Sequence, residues 1–215
     1  MELHIAPSIL AADFAALGAE IKSVETATDY LHIDIMDGHF VPNLSFGPGV
    51  VSAIRPLTNM VFDVHLMISE PLRYAKTFLD AGADILTVHC ECHPDPNELD
   101  KLVHSYDCKL GISISPDTDL EELRPYLPYA DMILVMSVYP GFGGQSFIEN
   151  SISRIRKVRQ MAPEIDLEVD GGIGIDNIAA VTKAGANIIV AGSSVFGAQN
   201  RAERIRALQE RCVTI

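Results

Sequence analysis

Two histidines and two aspartates stand near the ends of short apolar segments in this 215-residue chain. His32 and Asp34 are two positions apart, so their side chains share one face of a β-strand. His65 lies near the end of the next apolar segment, and Asp170 closes a later one. Imidazole nitrogens and carboxylate oxygens suit a divalent transition metal, and a bound ion would offset the cost of burying four polar side chains. The spacing therefore predicts a metal site.

Two further carboxylates, Asp63 and Glu168, have the same strand parity as His65 and Asp170 but lie one layer deeper. Facing inward, they would accept a hydrogen bond from a metal-binding histidine and so fix its tautomer. A β-bulge would reverse the parity and turn them toward the helices. The sequence leaves both orientations open.

The segment His89-Cys90-Glu91-Cys92-His93 suggests a second metal site. In an extended strand, alternation sends the cysteines to one face and the histidines to the other, so the four side chains cannot converge. The cysteine spacing is also shorter than in the usual zinc-binding pairs. We therefore leave this segment out of the predicted site.

Glycine-rich loops follow the last three strand-like segments. Glycine permits positive φ angles and lets backbone N–H groups approach an anion closely. One such loop would indicate only a turn, but three on consecutive strands favour a phosphate site. The first loop leads into a predicted helix, where Ser146 and Glu149 fit a capping box. The candidate substrate-binding residues in these loops are Gly141, Phe142, Gly143, Gly144, Gly171, Gly172, Gly192 and Ser193.

Three methionines, Met36, Met67 and Met136, fall near the ends of the same strand-like segments. Methionine commonly fills gaps in a core, but at the mouth of a site it would form a polarisable wall that excludes water. Both interpretations stay open. Residues 38–49 form a long connection and are a candidate lid, with Phe142 able to cover the site from the other side.

These side chains can meet only if the segments that carry them pair as strands. Strands are predicted at residues 3–8, 30–36, 61–67, 84–89, 109–115, 132–137, 165–170 and 187–191. Helices are predicted at residues 13–27, 49–54, 71–81, 97–105, 120–126, 147–161, 178–184 and 202–211. This alternation favours parallel pairing, and a closed ring would bring the carboxyl ends of all strands to one mouth. We predict one α/β domain, residues 1–215, folded as a (β/α)8 barrel. An open doubly wound sheet is the alternative, although no G-x-G-x-x-G follows the first strand.

The composition excludes several classes of partner. Acidic residues number 29 and basic residues 16, for a net charge of −13, which disfavours nucleic acid and anionic membranes as partners. No apolar run approaches the length of a membrane span, and the first residues lack the pattern of a secretory signal. The four cysteines have no framework spacing, which is typical of a reducing compartment. We expect a cytoplasmic protein.

Five segments resemble the signatures of the ribulose-phosphate 3-epimerase family. They are Pro-Ser-Ile-Leu at 7–10, His-Ile-Asp-Ile-Met-Asp-Gly at 32–38, Asp-Val-His-Leu-Met at 63–67, Met-Ser-Val-Tyr-Pro-Gly-Phe-Gly-Gly-Gln at 136–145 and Val-Asp-Gly-Gly-Ile at 169–173. The resemblance runs from Pro7 to Phe196; Tyr139 departs from it, since a smaller or polar residue is usual there. It implies a TIM barrel that interconverts D-ribulose 5-phosphate and D-xylulose 5-phosphate in the pentose phosphate pathway.

The same resemblance implies one divalent cation per subunit, zinc, iron, manganese or cobalt, with zinc favoured. Its ligands would be the four residues that the spacing already groups: His32, Asp34, His65 and Asp170. Ser8 and His65 would contact the sugar, and the glycine loops would bind the phosphate. Asp34 and Asp170, on opposite sides of the mouth, would alternate as acid and base at C3 of the sugar. The family also implies a homo-oligomer, a dimer or a hexamer.

Three other functions compete with this interpretation. A hexulose-phosphate epimerase would differ by one carbon of the substrate. A barrel decarboxylase would typically use a catalytic lysine at a strand end, but no lysine ends the second or third predicted strand. A non-catalytic sugar-phosphate sensor would retain the pocket, although it would not need the whole metal-binding set.

Overall fold

A computed structural model describes residues 2–213, and in this part of the chain eight parallel strands form one sheet. The strands are β1 (His4–Ala6), β2 (Tyr30–Met36), β3 (Val61–Met67), β4 (Ile85–His89), β5 (Lys109–Ile114), β6 (Met132–Met136), β7 (Asp166–Asp170) and β8 (Ile188–Val190). Their order is β1-β8-β7-β6-β5-β4-β3-β2. A parallel bridge between Ser8 and His32 joins β1 to β2, and the His32 N–H donates to the Pro7 carbonyl at 3.0 Å. The predicted closed barrel is confirmed, and the open sheet is wrong.

Helices occupy all but one of the connections that follow the strands. They are α1 (Leu17–Lys22), α2 (Pro48–Ile54), α3 (Pro71–Asp80), α4 (Pro96–His104), α5 (Ser151–Met161), α6 (Ile178–Lys183), α7 (Ser193–Phe196) and α8 (Arg201–Arg211). The exception is the connection from β5 to β6, where the predicted helix at 120–126 is only the short 3₁₀ helix Leu120–Leu123. Pro125 and Pro128 have no N–H groups with which to extend the helical ladder.

Two further predicted helices differ from the observed ones by more than one residue at an end. The helix predicted at 13–27 is a 3₁₀ turn, Phe14–Ala16, capped by Asp13 and followed by α1, which ends at Lys22. The helix predicted from residue 147 begins at Ser151, so the capping box at Ser146 is wrong. The Ile148 N–H donates to the Ser137 carbonyl at 2.9 Å, and this bond ties the preceding chain to the end of β6 instead of to a helix.

The two faces of the strands have different surroundings. In β2, Leu31, Ile33 and Ile35 belong to the apolar layer between barrel and helices, while His32 and Asp34 point into the ring. An apolar cluster fills the amino-terminal end of the ring, with Tyr30, Ile85, Met132 and Ile188 among its members. His32 and Asp34 therefore lie beyond this apolar cluster, toward the carboxyl ends of the strands. No helix within residues 2–213 is long and apolar enough to cross a membrane.

Candidate active site

The structure brings the four predicted metal ligands together at the mouth of the barrel. Each of His32, Asp34, His65 and Asp170 offers one nitrogen or oxygen atom, and these atoms lie within 4.8 Å of one another. Residues 34 and 65 are register partners in β2 and β3. Asp34 Oδ1 is 3.3 Å from His32 Nε2 and 3.2 Å from His65 Nδ1. The set is compact enough for one ion.

His32 carries an unused nitrogen that supports a metal site. Its Nδ1 lies 2.5 Å from Asp63 Oδ2, so the Nδ1–H donates to this carboxylate and the contact fixes the ring. Its Nε2 is buried and has no hydrogen-bond partner among residues 2–213. An unsatisfied buried polar atom is costly, and a cation would use its lone pair. The buried cluster therefore fits a divalent cation.

Asp63 and Glu168 both face into the barrel, which excludes the outward orientation left open by the sequence. Both are fully buried, and Glu168 Oε1 lies 3.5 Å from His32 Nδ1. Burial acts to raise the pKa of Asp63, but the His32 ring outweighs it and lowers that pKa below its usual range. Burial and the charge of Asp63 raise the pKa of Glu168 well above normal. Asp63 is thus the ionised partner of His32.

The two carboxylates at the mouth differ in their protonation. Burial, followed by the negative charge of Asp34, raises the pKa of Asp170 to about 7. Burial acts in the same direction on Asp34, but the imidazoles of His32 and His65 outweigh it and hold its pKa far below the usual range. Near neutral pH, Asp34 is therefore ionised while Asp170 exchanges its proton readily.

Metal affinity should depend on pH because a cation must displace the proton of Asp170. Below about pH 7 the metal-free Asp170 is protonated, so the affinity should fall as pH falls, by about tenfold per unit for each displaced proton. Competition with a chelating indicator between about pH 5 and 7 measures this slope. Asp170→Asn should reduce the slope by one proton over that range. An unchanged slope in this variant would contradict the assignment.

A cavity of about 70 Å³ opens at the mouth of the barrel, and Asp34 and Asp170 form part of its wall. The Ser8 hydroxyl donates to Asp34 Oδ2 at 2.6 Å, so Ser8 holds one of the carboxylates on the cavity wall. The wall contains Asp34 and Asp170 together with Ser8, Met36, Met67, Met136, Gly141, Phe142, Gly143, Gly144, Gly171, Gly172, Gly192 and Ser193. The methionines are buried, and all three also line the cavity.

The glycine loops form the outer part of this cavity. Gly172 has a φ of +64°, and a Cβ there would lie 2.5 Å from the Phe147 nitrogen, so the turn requires glycine. In the candidate lid, Asn43 Nδ2 donates to the Gly141 carbonyl at 2.8 Å, and Val41 packs against the same glycine. The candidate lid therefore touches the loop after β6. Phe142 remains half-exposed beside it.

One residue of the site was missed by the sequence reasoning. His89 ends β4 fully buried, and its Nε2 lies 2.9 Å from His65 Nε2. The chain then turns into a 3₁₀ helix, Cys90–Cys92, which brings Glu91 back to His89. Its position at a strand end, the criterion that identified His65, would have found it. Burial lowers the pKa of His89 to about 4, so the ring is neutral.

The segment 89–93 does not form a second metal site within the described residues. The Cys92 thiol points to the Ile68 carbonyl, at 3.2 Å, and not toward His89. His93 has a left-handed backbone and an exposed side chain. The prediction that residues 89–93 form an extended strand is wrong, because the chain turns into a 3₁₀ helix immediately after His89.

The closed ring of eight parallel strands, with buried acids and imidazoles at its carboxyl-terminal mouth, defines a TIM-barrel enzyme. The model of the ribulose-phosphate 3 epimerase family matches residues 4–196. A ribulose-phosphate 3-epimerase of Synechocystis is 50% identical over 212 residues, which cover 95% of this chain and 92% of the relative. That of Bacillus subtilis is 46% identical over 213 residues, covering 96% and 98%. The chain belongs to the ribulose-phosphate 3-epimerase family and is an isomerase that acts on carbohydrate phosphates.

Solved structures of other enzymes share the fold. KGPDC from Streptococcus mutans superposes with a TM-score of 0.76, covering 98% of this chain and 97% of that one, at 15% identity. A 3-keto-L-gulonate-6-phosphate decarboxylase from Vibrio cholerae gives a TM-score of 0.74 at 16% identity, covering 98% and 97%. At such low identity the likeness concerns the barrel alone. This similarity therefore gives no support to a decarboxylase activity for this chain.

Proposed function

We propose that the isomerase interconverts D-ribulose 5-phosphate and D-xylulose 5-phosphate by two-base proton transfer at C3, through an enediolate. The observation that carries this proposal is the pair Asp34 and Asp170. Both line one cavity, and their pKa values are shifted in opposite directions. An acid and a base are then available at once near neutral pH.

Inversion at C3 requires that one group remove the proton and another deliver a proton to the opposite face. In the ring, β7 is three strands from β2 through β8 and β1, so the two aspartates extend from different sides of the mouth. A single fixed base would return the proton to the face from which it came. In one direction Asp34 accepts the proton and Asp170 donates, and in the other direction their roles exchange.

The other side chains of the site hold these two carboxylates. Ser8 donates to Asp34 Oδ2, which orients the second oxygen, Oδ1, toward the histidines. The Ser137 hydroxyl donates to the carbonyl oxygens of Asp170 and Gly171, at 2.8 and 2.7 Å, which fixes the end of β7. His32, Asp34, His65 and Asp170 would bind the divalent cation. When bound, the cation supplies Lewis-acid stabilisation of the charge that develops on the C2 oxygen, worth several kcal/mol.

The phosphate is proposed to lie at the glycine loops after β6, β7 and β8. Gly141–Gly144, Gly171, Gly172, Gly192 and Ser193 all line the cavity that also contains Asp34 and Asp170. A site made of backbone N–H groups can bind an anion even though the whole protein is strongly negative. Met36, Met67 and Met136 would keep water from the reacting carbon.

Three finer statements rest on family membership. We propose that zinc is the native metal, that the protein forms a homo-oligomer, a dimer or a hexamer, and that it works in the pentose phosphate pathway. The lack of a framework spacing among the four cysteines favours the cytoplasm as its location. Neither nucleic acid nor a membrane is proposed as a partner, given the net charge of −13.

Substrate length separates the proposed reaction from that of a hexulose-phosphate epimerase. We expect kcat/KM for ribulose 5-phosphate, in an assay coupled to transketolase, to exceed the value for allulose 6-phosphate, because the loops fix the distance from phosphate to metal. A reversed preference would identify the hexulose-phosphate enzyme. Metal-free, inactive protein that still binds ribulose 5-phosphate would instead indicate a sensor.

A further inference from the structure

The buried contact between His65 and His89 determines which ring nitrogens carry protons. Their Nε2 atoms are 2.9 Å apart, so one must donate and the other must accept. His65 and His89 also lie with ring centroids 5.0 Å apart, and the Phe40 ring covers His89 at 4.6 Å. The two imidazoles therefore have little freedom to turn away from each other.

Glu91 decides the direction of that hydrogen bond. Its Oε2 lies 3.0 Å from His89 Nδ1, and a carboxylate only accepts, so His89 carries its proton on Nδ1. A neutral His89 then has a bare Nε2, which accepts from the Nε2–H of His65. When a cation is bound, the bare nitrogen of His65 would be Nδ1, which faces Asp34 at 3.2 Å.

Glu91 is itself held by the loop after β5. Its Oε1 accepts from the Ser115 N–H at 2.7 Å and from the Thr118 hydroxyl at 2.6 Å. Arg154 of α5 donates to the carbonyls of Ser115 and Thr118, at 3.0 and 2.8 Å. The carboxylate thus has a donor at each oxygen and a fixed orientation.

We propose that Glu91 and His89 are positioning residues that hold His65 in its Nε2–H tautomer, with the Nδ1 lone pair presented to the metal site. They form a relay from the loop after β5 to the cation, and neither touches the substrate. The proposal rests on the metal site of the proposed function. It gives His65 a counterpart to the contact by which Asp63 fixes His32.

Glu91→Gln tests the relay with almost no change of volume. The amide presents one donor and one acceptor, so its NH₂ must face either the Ser115 N–H or the Nδ1 of His89. In the second arrangement His89 must move its proton from Nδ1 to Nε2. Two N–H groups, on Nε2 of His89 and Nε2 of His65, would then face each other and could not form a hydrogen bond. We expect the Kd for zinc, measured by competition with a chelating indicator, to rise about 10- to 100-fold. Glu122→Gln, the same charge change at an exposed position nearby, should leave it unchanged.

The tautomer is observed directly by long-range ¹H–¹⁵N correlation of the histidine rings in the zinc-loaded protein. The wild type should show His65 protonated on Nε2, and Glu91→Gln should shift His65 toward Nδ1–H. His89→Phe, which keeps the ring but has no nitrogen, should weaken zinc binding as well, and it replaces the first test if Glu91→Gln does not fold. His89→Gln, which can both donate and accept, should recover part of the affinity.

An Nδ1–H tautomer of His65 in the wild type would overturn the proposal, and so would wild-type zinc affinity in both Glu91→Gln and His89→Phe. The coupled epimerase assay is read separately. If the wild-type protein binds zinc with the affinity changes expected above but does not epimerise pentulose phosphates, the proposed function is refuted. The proposed role of Glu91 and His89 would still hold.

Discussion

Asp170→Asn should lower kcat for epimerisation by about 10²- to 10⁴-fold, the usual contribution of a general acid or base. The amide keeps the shape of the side chain and one oxygen for the metal, but it cannot exchange a proton with C3. Asp34→Asn should cause a loss in the same range. Incorporation of deuterium at C3 in D₂O, followed for each epimer separately, shows which proton transfer each variant retains.

Asp176→Asn is the matched control for this experiment. Asp176 lies exposed in the loop after β7, so the substitution makes the same charge change without reaching the cavity. Metal content must be measured in every variant, since Asp34 and Asp170 are also proposed ligands. If either active-site variant retains its metal and epimerises at nearly the wild-type rate, the two-base assignment fails.

Removal of the metal should have an effect of similar size. Lewis-acid stabilisation of several kcal/mol corresponds to a rate factor of about 10²–10³ or more, at about 1.4 kcal/mol for each tenfold. We expect protein freed of metal by a chelator to lose activity to that extent and to regain it when zinc is returned. Metal content after anaerobic purification, compared with activity, tests whether zinc is the native ion.

His65→Gln tests the metal site by substitution of a proposed ligand, and His93→Gln is its matched control. His65 is fully buried among the proposed ligands, whereas the His93 side chain is 74% exposed on the surface. Only the first variant should need added metal to reach its full rate. Wild-type turnover by protein shown by elemental analysis to contain no metal would exclude the role proposed for the cation.

The parts of the site that follow strand periodicity were predictable from the sequence. Alternation along β2 places His32 and Asp34 on the inner face, whereas the sequence left the orientation of Asp63 and Glu168 open and only the structure shows that they face inward. The closed ring follows from the count of alternating segments. These inferences use only local geometry that every strand shares.

The remaining parts depend on contacts between distant segments. The start of α5 at Ser151 reflects the bond from Ile148 to the end of β6, which outweighs a favourable capping sequence at Ser146. The contact from Asn43 to Gly141 joins residues 98 positions apart. His89 was missed because residues 89–93 were treated as an extended strand, although the chain turns immediately after His89. The contacts of Ile148 and Asn43 have no local signature in the sequence, whereas the position of His89 at a strand end would have identified it.

The bridge between Ser8 and His32 that closes the ring has a mechanical consequence. The strand β1 has only three residues, and the bridge that links it to β2 involves Ser8, which orients Asp34, and His32, a proposed metal ligand. Opening of the barrel at this bridge would therefore displace the proposed base Asp34 and the His32 ring together. Local loss of this bridge would abolish turnover while the other strands keep their pairing. Enzyme activity would then be lost before the barrel unfolds.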